Sequence, residues 1–596
     1  MGVYEQVRTL LDSAIGHLVD RGELPREARS LGYAVEKPKR PEHGDVATNA
    51  AMVLAKPAGK APRAIAEALA AELGGKAGVR TVEIAGPGFL NLRLDPALYQ
   101  AVLAEVLRAG AGYGRAASGT GERILLEFVS ANPTGPLLIS HGRGAILGDA
   151  IARLLEAAGH RVVREYYVND FGNQVRLLAT SVRAAAKGEP APEGGYGGDY
   201  VKELADYLVK HQPELFESDD DGTLARFAIT RVLDGVPGSS ALPGIKNTLA
   251  GLGVRHDAFY SEESLHRWGR VASALAELDR RGYLEQKDGA LVFRSTDEGD
   301  DKDRVVKKTD GYYTYFASDI AYHADKVARG YDRLVTILGA DHHGYVPRIR
   351  AALVALGLPA EKNEAILYQL VNLLRDGKPV RMGKRLGNLI TIEEVVDEVD
   401  ETMQRKGAGA DALRYFYLAR RADVSIDLDI EIAKKASLDN PVFYLQMGYA
   451  RLSSILRRAK EACGFEVPLH RPDLAARLTH PDELAILGHL GRFPEVLREA
   501  SERREPHLVV YYVQELSQAF QSYFTRLKAE KDPILPPATL LAEPGWEASW
   551  DRDKTLARLL WIEAIRTTYG AGLSLLGITA LERMDRLEKD SEGHDA

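Results

Sequence analysis

The chain has 596 residues, of which 45% are hydrophobic and 27% charged, so its composition excludes a disordered or fibrous protein and its length predicts about three to five domains. A formal net charge of −8 argues against a protein that coats nucleic acid indiscriminately, although a local basic patch could still hold one RNA. Because the only cysteine is Cys463 and no apolar run reaches the ~18 residues of a membrane span, we expect a cytoplasmic protein without an internal disulfide, a multi-cysteine zinc site or a membrane-spanning helix.

Residues 1–110 are predicted to form a small α+β domain. The opening segment carries Glu5 and Arg8 among its apolar residues, which indicates an amphipathic helix and not a secretion signal. Strand-like runs around Val82 and Phe89 lie on either side of a Gly-Pro-Gly turn signal.

Residues 111–425 are predicted to form an α/β domain with a parallel, nucleotide-binding sheet. A strand at 124–129, a helix with apolar positions between 147 and 158, and a strand at 162–168 make a βαβ unit. Gly159 follows the helix directly and is a suitable C-cap.

Beyond this unit the sequence becomes mostly helical, and we expect an insertion at about residues 178–290. Strand patterns resume at 334–338 and again at 366–373. Thr391 with Glu394 predicts a capping box at the start of the next helix. The nucleotide-binding fold is therefore predicted to be split.

Residues 426–596 show only long helical patterns, such as the apolar spacing of Leu445, Leu452 and Leu456. They predict an all-α bundle that ends in a short charged tail.

The first candidate site is the loop SANPTGPLLISHGRG, which runs from Ser130 to Gly144 between a strand and the start of a helix. A helix N-terminus offers free N–H groups and the positive end of a dipole, so it suits a phosphate, and His141 could add a donor. The alternative is that His141 only caps the helix. The spacing fits neither a phosphate-binding P-loop nor a dinucleotide fingerprint.

A second candidate, GADHHG at residues 339–344, also lies between a strand and a helix. Its two histidines could bind a metal, but no third ligand stands at a convincing spacing, so we expect contacts to a nucleotide or substrate and predict no protein-bound metal. The third candidate is the cationic segment VRMGKRLGN at residues 380–388, which could close on a polyphosphate or could be a solvated basic turn.

Tyr315 and Asp319 form the fourth candidate, because residues at this spacing face the same way on a helix. A carboxylate beside a phenol suits a guanidinium group. A surface pair is the competing interpretation.

Taken together, these segments resemble the arginyl-tRNA synthetase family of class I aminoacyl-tRNA synthetases, and the resemblance runs nearly end to end. The matching segments occur in the family's order: HGDVATNAA, GPGFLNLRL, SANPTGP, HGRGA, EYYVNDFGNQ, GADHHGY, QLVNLLRDGKPVRMGKRLGN, DALRYFYLARR and GLSLLGI. The resemblance implies a split Rossmann-type catalytic domain, an N-terminal appended domain that contacts the tRNA elbow, and a C-terminal helical domain that reads the anticodon.

The implied reaction is ATP-dependent activation of L-arginine to arginyl-adenylate, followed by transfer to the 3′ end of tRNA-Arg. Mg²⁺ would accompany ATP as part of the substrate, no tightly bound cofactor is expected, and the default state in the family is a monomer. The first step in this family usually waits for bound tRNA.

The resemblance also implies residue roles. Asn132, Gln174, Tyr315 and Asp319 would bind arginine, with Tyr167 and Asp170 at the pocket edge. The residues expected to contact ATP are Leu138, Ser140, His141, Gly142, Gly339, Asp341, His342, His343, Gly344, Met382 and Lys384. Of these, His141 and Lys384 would stabilise the transition state.

Four residues of the helical region, Tyr449, Arg451, Tyr511 and Tyr512, are candidates for stacking on or contacting unpaired anticodon bases. A place in the protein core is the competing interpretation for each of them.

The chain departs from the family at its first signature, usually His-x-Gly-His, where it has Leu138, Ile139, Ser140 and His141. The missing histidine removes one donor, and losing one transition-state donor typically costs ~10²–10³-fold in rate. In the second signature, Gly383 and Arg381 replace the usual serine and first lysine.

Three hypotheses follow. The first is a working synthetase with a drifted signature. The second is a paralogue that binds tRNA or arginine without efficient activation. The third is an enzyme that transfers the activated group to another acceptor, against which the C-terminal region argues.

Overall fold

The computed structural model describes residues 2–584 except 37, 39, 41–42, 117–118, 120, 219 and 381–389. The first part of the chain combines helices with a 4-stranded antiparallel sheet of order β1-β2-β4-β3, as its sequence predicts. Its elements are α1 (Val3–Asp20), β1 (Val35–Glu36), β2 (Val46–Thr48), α2 (Ala50–Ala58), α3 (Pro62–Leu73), β3 (Val79–Ala85), β4 (Phe89–Leu94) and α4 (Pro96–Ala109).

The middle of the chain is built around a 5-stranded sheet of order β12-β11-β5-β6-β7, in which all neighbouring strands are parallel. The elements from β5 to β10 are β5 (Arg123–Glu127), α5 (Ile139–Ala157), β6 (Arg161–Val168), α6 (Asn173–Ala186), α7 (Asp199–His211), α8 (Pro213–Glu217), α9 (Asp221–Asp234), α10 (Ile245–Gly251), β7 (Ala258–Ser261), α11 (Glu262–Arg267), α12 (Arg270–Arg280), β8 (Leu284–Lys287), β9 (Ala290–Phe293) and β10 (Arg304–Lys307). Those that follow are α13 (Tyr315–Ala328), β11 (Arg333–Gly339), α14 (Tyr345–Ala355), β12 (Asn363–Tyr368), β13 (Val371–Arg375), β14 (Lys378–Pro379), α15 (Ile392–Met403), α16 (Ala408–Leu418), β15 (Ile426–Asp429) and α17 (Ile430–Ala433).

The predicted βαβ unit is present as β5, α5 and β6, and Gly159 after the helix has a φ of +94°. The capping box of Thr391 and Glu394 also forms, with both reciprocal hydrogen bonds. The first strand ends earlier than predicted, at Glu127, because Val129 and Ser130 adopt left-handed backbone angles that no strand can continue through.

Two other strand expectations are wrong. The predicted strand at 366–373 is two strands in different sheets, since β12 pairs with β11 whereas β13 pairs with β15. The prediction that the next strand of the parallel sheet begins at residue 334 is also wrong. The strand β7 already pairs with β6 inside the segment predicted as an insertion. A strand as short as Ala258–Ser261 gives too little alternation to stand out from helical surroundings.

The last part of the chain is helical, as predicted. Its helices are α18 (Pro441–Cys463), α19 (Pro481–Gly491), α20 (Phe493–Arg503), α21 (His507–Glu530), α22 (Ala538–Leu541) and α23 (Arg552–Leu576). Buried side chains such as Leu445, Leu516 and Trp561 form its core.

The helical part packs on both other parts. Tyr113 donates a hydrogen bond to the Leu490 carbonyl at 3.1 Å, which ties the N-terminal region to α19. Arg414 of α16 is 1% exposed and donates to the carbonyls of Leu252 and Leu576. No helix in the described part of the chain is long and apolar enough to cross a membrane.

Candidate active site

The candidate residues lie where the parallel strands end. The SANPTGP loop follows β5, the segment from Asn169 to Gln174 follows β6, Glu262 follows β7, and GADHHG begins at the end of β11. Because parallel strands end at the same edge of their sheet, these segments line one cleft.

Asn132 and Gln174 are brought into direct contact across this cleft. The Asn132 side-chain amide donates to Oε1 of Gln174 at 2.9 Å. The segment holding Gln174 also approaches Tyr315, since a Cβ placed on Gly172 would lie 3.5 Å from the Tyr315 hydroxyl. Three of the four residues predicted to bind arginine are therefore brought close together in the cleft.

Tyr315 and Asp319 lie in the first two turns of α13, as the spacing predicted. The Tyr315 side chain is largely exposed, whereas Asp319 is only partly accessible and receives a hydrogen bond from Tyr345. Burial, and then the negative charge of Glu127, raise the pKa of Asp319 to about 7 against the opposing charge of Lys326. A carboxyl group in this position is poised to bind a cation.

Glu262 is a residue of the cleft that the sequence reasoning missed. It is 2% exposed, and its Oε2 has no hydrogen-bond partner among the described residues. Burial raises the pKa of Glu262 to about 8 against an opposing hydrogen bond with Ser318, and the charges of Asp319 and Asp170 add to the increase. The available signal was its position directly after a parallel strand, and it was missed because β7 itself was missed.

The two candidates at the pocket edge, Tyr167 and Asp170, differ in their surroundings. Tyr167 is buried against Tyr322, and its hydroxyl has no partner in the part of the chain that the structure describes. Asp170 accepts the Glu263 backbone N–H at 2.8 Å, so it caps the start of α11. This structural bond explains Asp170 without a ligand.

At the other end of the cleft, α5 begins with Leu138 as its N-cap residue. The backbone N–H of Leu138 donates to Nδ1 of His141 at 3.0 Å, so this histidine does cap the helix. Ser140 is exposed beside it. Gly142 is buried, and a Cβ there would lie 3.1 Å from the ring of Tyr417, so packing of α5 explains this glycine.

The start of α5 is joined to the segment that follows the second signature. Ile139 donates its N–H to Ile390 at 3.1 Å, and Ile392 donates to Leu137 at 3.1 Å. The candidates Met382 and Lys384 lie outside the described residues.

The GADHHG segment forms a short turn after β11. Asp341, His342 and His343 are exposed there, with the His342 Nε2 3.6 Å from Asp341 and the His343 ring 3.3 Å from the Ala340 carbonyl. Gly339 and Gly344 are partly buried at its two ends. Within the described ranges, no three His, Cys, Asp or Glu side chains are grouped so that they could hold a metal ion.

The four RNA-contact candidates separate into core and surface. Tyr512 is 2% exposed and stacks on His489 at 4.3 Å, so it offers no ring face to a base and its prediction as an RNA contact is corrected to a core role. Tyr449 is partly buried beside Tyr569. Tyr511 is 40% exposed, and its hydroxyl donates to the Ala419 carbonyl.

Arg451 lines a wide groove of about 1520 Å³ between α18, α21 and the segment after α21. It is hydrogen-bonded to Gln521, and its guanidinium lies 5.2 Å from the centre of the Phe524 ring. The other cationic residues along the groove are Arg457, Arg458, Lys528, Lys531 and Arg583, against the acidic Glu461 and Glu582. Aromatic rings among cationic side chains suit unpaired nucleotides.

Three family models match the chain in order. They are the arginyl tRNA synthetase N terminal domain over residues 5–94, the tRNA synthetases class I (R) catalytic domain over 102–201 and 249–410, and the DALR anticodon binding domain over 445–584.

Curated relatives match over almost the whole chain. An arginine–tRNA ligase of Geobacter sp. (strain M21) is 44% identical over 570 residues, which covers 94% of this chain and 96% of the relative. One of Cereibacter sphaeroides (strain ATCC 17025) is 41% identical and covers 98% of this chain and 100% of the relative. The fold is shared with the solved arginyl-tRNA synthetase of Thermus thermophilus, with a TM-score of 0.69, 23% identity, and coverage of 97% of this chain and 100% of that one.

Proposed function

The chain belongs to the arginyl-tRNA synthetase family and is an arginine–tRNA ligase with a class I catalytic domain, and we propose how its residues divide the work of activating arginine and transferring it to tRNA. The predicted fold class is confirmed by the same matches, and ATP, arginine and tRNA are its expected reactants.

Arginine binds in the cleft with its guanidinium group between Asp319 and Glu262. The observation that carries this proposal is that both carboxyl groups are sheltered from water and neither forms an ion pair with any residue that the structure describes. A guanidinium is a planar cation with several donors, so it can satisfy both. Tyr315 covers the group from the open side.

Asn132 and Gln174 hold the other end of arginine. Their side chains already touch each other, and each retains further polar atoms for the substrate's α-amino and carboxylate groups. This arrangement leaves the carboxylate facing the start of α5. A neutral amino acid in the same cleft would forgo the ion pairs with Asp319 and Glu262 and would leave both carboxyl groups protonated, so it would bind more weakly than arginine.

ATP lies across the start of α5 and the GADHHG turn. Leu138, Ser140 and His141 lie at the phosphate end, and Asp341, His342 and His343 lie beside the nucleoside. The N–H groups of Leu138 and Ile139 are already bonded to His141 and Ile390, so the positive end of the α5 dipole and Nε2 of His141 interact with the phosphates. Lys384 neutralises the leaving pyrophosphate, and Mg²⁺ enters with ATP as part of the substrate.

In the first step the arginine carboxylate attacks the α-phosphorus, an oxygen–phosphorus bond forms and the bond to pyrophosphate breaks. In the second step a hydroxyl of the terminal ribose of tRNA attacks the activated carbonyl, and AMP leaves. No side chain acts as a nucleophile, so the protein contributes positioning and charge stabilisation.

The remaining parts of the proposal concern tRNA and the state of the enzyme. The anticodon bases lie in the groove beside Arg451. The enzyme is a monomer, and its compartment is the cytoplasm.

The arginine site is tested by Asp319→Ala, with the exposed Asp279→Ala on α12 as a matched control. The KM for arginine should rise at least about a hundredfold, as expected when a buried charge pair loses one partner. The KM for ATP should stay within about threefold, because Asp319 does not face the phosphates. Equal increases in both constants would contradict the assignment.

A further inference from the structure

The backbone between β5 and Asn132 passes through two left-handed residues that are not glycine. Val129 has a φ of +71° and Ser130 a φ of +40°. This region is unfavourable for residues with a side chain, and most of all for a β-branched one such as valine. Such a conformation persists only where the surrounding structure imposes it.

Three hydrogen bonds of Ser130 stabilise this turn. Its hydroxyl donates to Oε1 of Glu127 at 2.9 Å and accepts the backbone N–H of Tyr167 at 3.1 Å. Its carbonyl accepts from the side-chain amide of Asn169 at 3.2 Å. One serine therefore joins the ends of β5 and β6 two residues before Asn132, the residue proposed to contact the substrate.

Glu127 is in turn held by a buried lysine. Lys326 is 0% exposed, its ammonium group pairs with Oε2 of Glu127, and it lies 3.3 Å from the Thr336 hydroxyl. It also lies 4.3 Å from the centre of the Tyr322 ring. A buried ammonium group is tolerated only when it is paired and hydrogen-bonded, so Lys326 must keep its contact with Oε2 of Glu127. The other oxygen, Oε1, accepts the hydrogen bond from Ser130.

Lys326 lies on α13, about two helical turns after Asp319 and on the same side of the helix. The chain of contacts Lys326–Glu127–Ser130 therefore connects the helix that carries Asp319 with the turn that carries Asn132. These are the two sides of the proposed arginine pocket.

We propose that Lys326, Glu127 and Ser130 form a positioning relay that sets Asn132 relative to Asp319, and so aims the arginine carboxylate at ATP. None of the three is a catalytic residue. The inference rests on the proposed pocket, and it differs from a purely structural role for the buried pair in predicting a kinetic defect in a protein that remains folded.

The direct test is Ser130→Ala, which removes the hydroxyl and leaves the main chain unchanged. In tRNA-dependent ATP–pyrophosphate exchange, we expect kcat to fall about tenfold and the KM for arginine to rise about tenfold, with the KM for ATP within about twofold. The exposed Ser273→Ala, on α12, is the matched control and should behave as the parent protein. Unchanged kcat and arginine KM in a stable Ser130→Ala protein would overturn the relay.

Two further variants separate positioning from folding. Ser130→Gly removes the hydroxyl but relieves the left-handed strain, so its unfolding midpoint should be no lower than that of Ser130→Ala while the kinetic defect persists. Full recovery of activity in Ser130→Gly would overturn the relay.

The double variant Lys326→Met with Glu127→Gln leaves no buried charge unpaired. It should reproduce the defect of Ser130→Ala, and adding Ser130→Ala to it should cause little further loss, whereas additive losses would overturn the relay.

Asp319→Asn distinguishes failure of the relay from failure of the pocket. If Asp319→Asn raises the arginine KM and Ser130→Ala does not, only the relay is wrong. If Asp319→Asn leaves the arginine KM unchanged, the pocket is wrong and the relay falls with it.

Discussion

Leu138 and His141 are joined by a hydrogen bond of 3.0 Å from the Leu138 backbone N–H to Nδ1 of the His141 ring. Because Nδ1 accepts this bond, the neutral ring carries its proton on Nε2, which is the nitrogen that can donate to a phosphate oxygen. The contact uses only the backbone of residue 138. The last histidine of the signature is therefore oriented although leucine stands at the first position.

The first prediction concerns the altered signature. Leu138→His combined with Ser140→Gly restores a side-chain donor and bare backbone for the adenine, without removing the bond that orients His141. We expect kcat for pyrophosphate exchange to rise about tenfold. Steady-state kinetics of the double variant against the parent protein give the answer, and an unchanged or lower kcat would mean that other residues already replace the missing donor.

The second prediction concerns pH. The pKa of Asp319 is raised to about 7 and that of Glu262 to about 8, and in the proposed pocket cationic arginine would bind their ionised forms. The KM for arginine should therefore fall as pH rises from about 6 to about 8, and binding at neutral pH should release protons. Calorimetric titration in two buffers of different ionisation enthalpy measures the protons released. Proton uptake, or an arginine KM independent of pH, would contradict the charge assignment.

The same shifts predict a pH effect on stability. Each of the two carboxyl groups has a higher pKa in the folded than in the unfolded protein. Their contribution to the free energy of unfolding is therefore fully present below about pH 4 and is lost as pH rises to about 8. In the proposed pocket, bound arginine would offset this loss by pairing with the ionised forms. The increase in thermal unfolding midpoint caused by saturating arginine should be larger at pH 8 than at pH 6, and Glu262→Gln should reduce the difference.

The third prediction concerns Arg414, which joins α5, the end of α10 and the end of α23. It donates to the carbonyls of Leu252 and Leu576 and pairs with Asp149 at 2.6 Å. Arg414→Met leaves these buried acceptors with fewer partners and should cost ~3–5 kcal/mol. Arg471→Met removes an exposed pair with Asp473 and should leave the free energy of unfolding almost unchanged. Equal losses in chemical denaturation would contradict the role of Arg414.

The fourth prediction concerns the groove beside Arg451. Arg458→Glu reverses one charge on its wall, while Arg471→Glu reverses an exposed charge of the same helical region outside the groove. Only the first should raise the KM for tRNA about tenfold or more, and it should weaken the salt dependence of binding. The KM for arginine at saturating tRNA should not change. Indistinguishable tRNA affinities for the two variants would place the RNA elsewhere.

The sequence predicted the fold class and several local features of the proposed site because these depend on local signals. The β5–α5–β6 unit, the capping box at Thr391 and the helical spacing of Tyr315 and Asp319 all follow from patterns within a few neighbouring residues. The approach of Asn132 to Gln174 was reached only through the family resemblance, since no local pattern brings two separate loops together.

The features that were missed depend on the tertiary structure. Glu262 belongs to the cleft only because β7 joins the parallel sheet, and four residues carry too little periodicity to reveal that strand. Tyr512 has the residue type of an RNA contact, but its burial against His489 is decided by how α19 packs on α21. The contacts of the proposed relay, from Lys326 to Glu127 and from Glu127 to Ser130, join residues on separate elements of the fold.

The central claim, that this chain with its altered first signature activates arginine, is tested most directly by arginine-dependent ATP–pyrophosphate exchange with and without tRNA. We predict robust exchange with arginine when tRNA is present, little exchange without tRNA, and no exchange with a neutral amino acid of similar length. Tight tRNA binding without any arginine-dependent exchange would contradict the claim and would identify the chain as a binding paralogue.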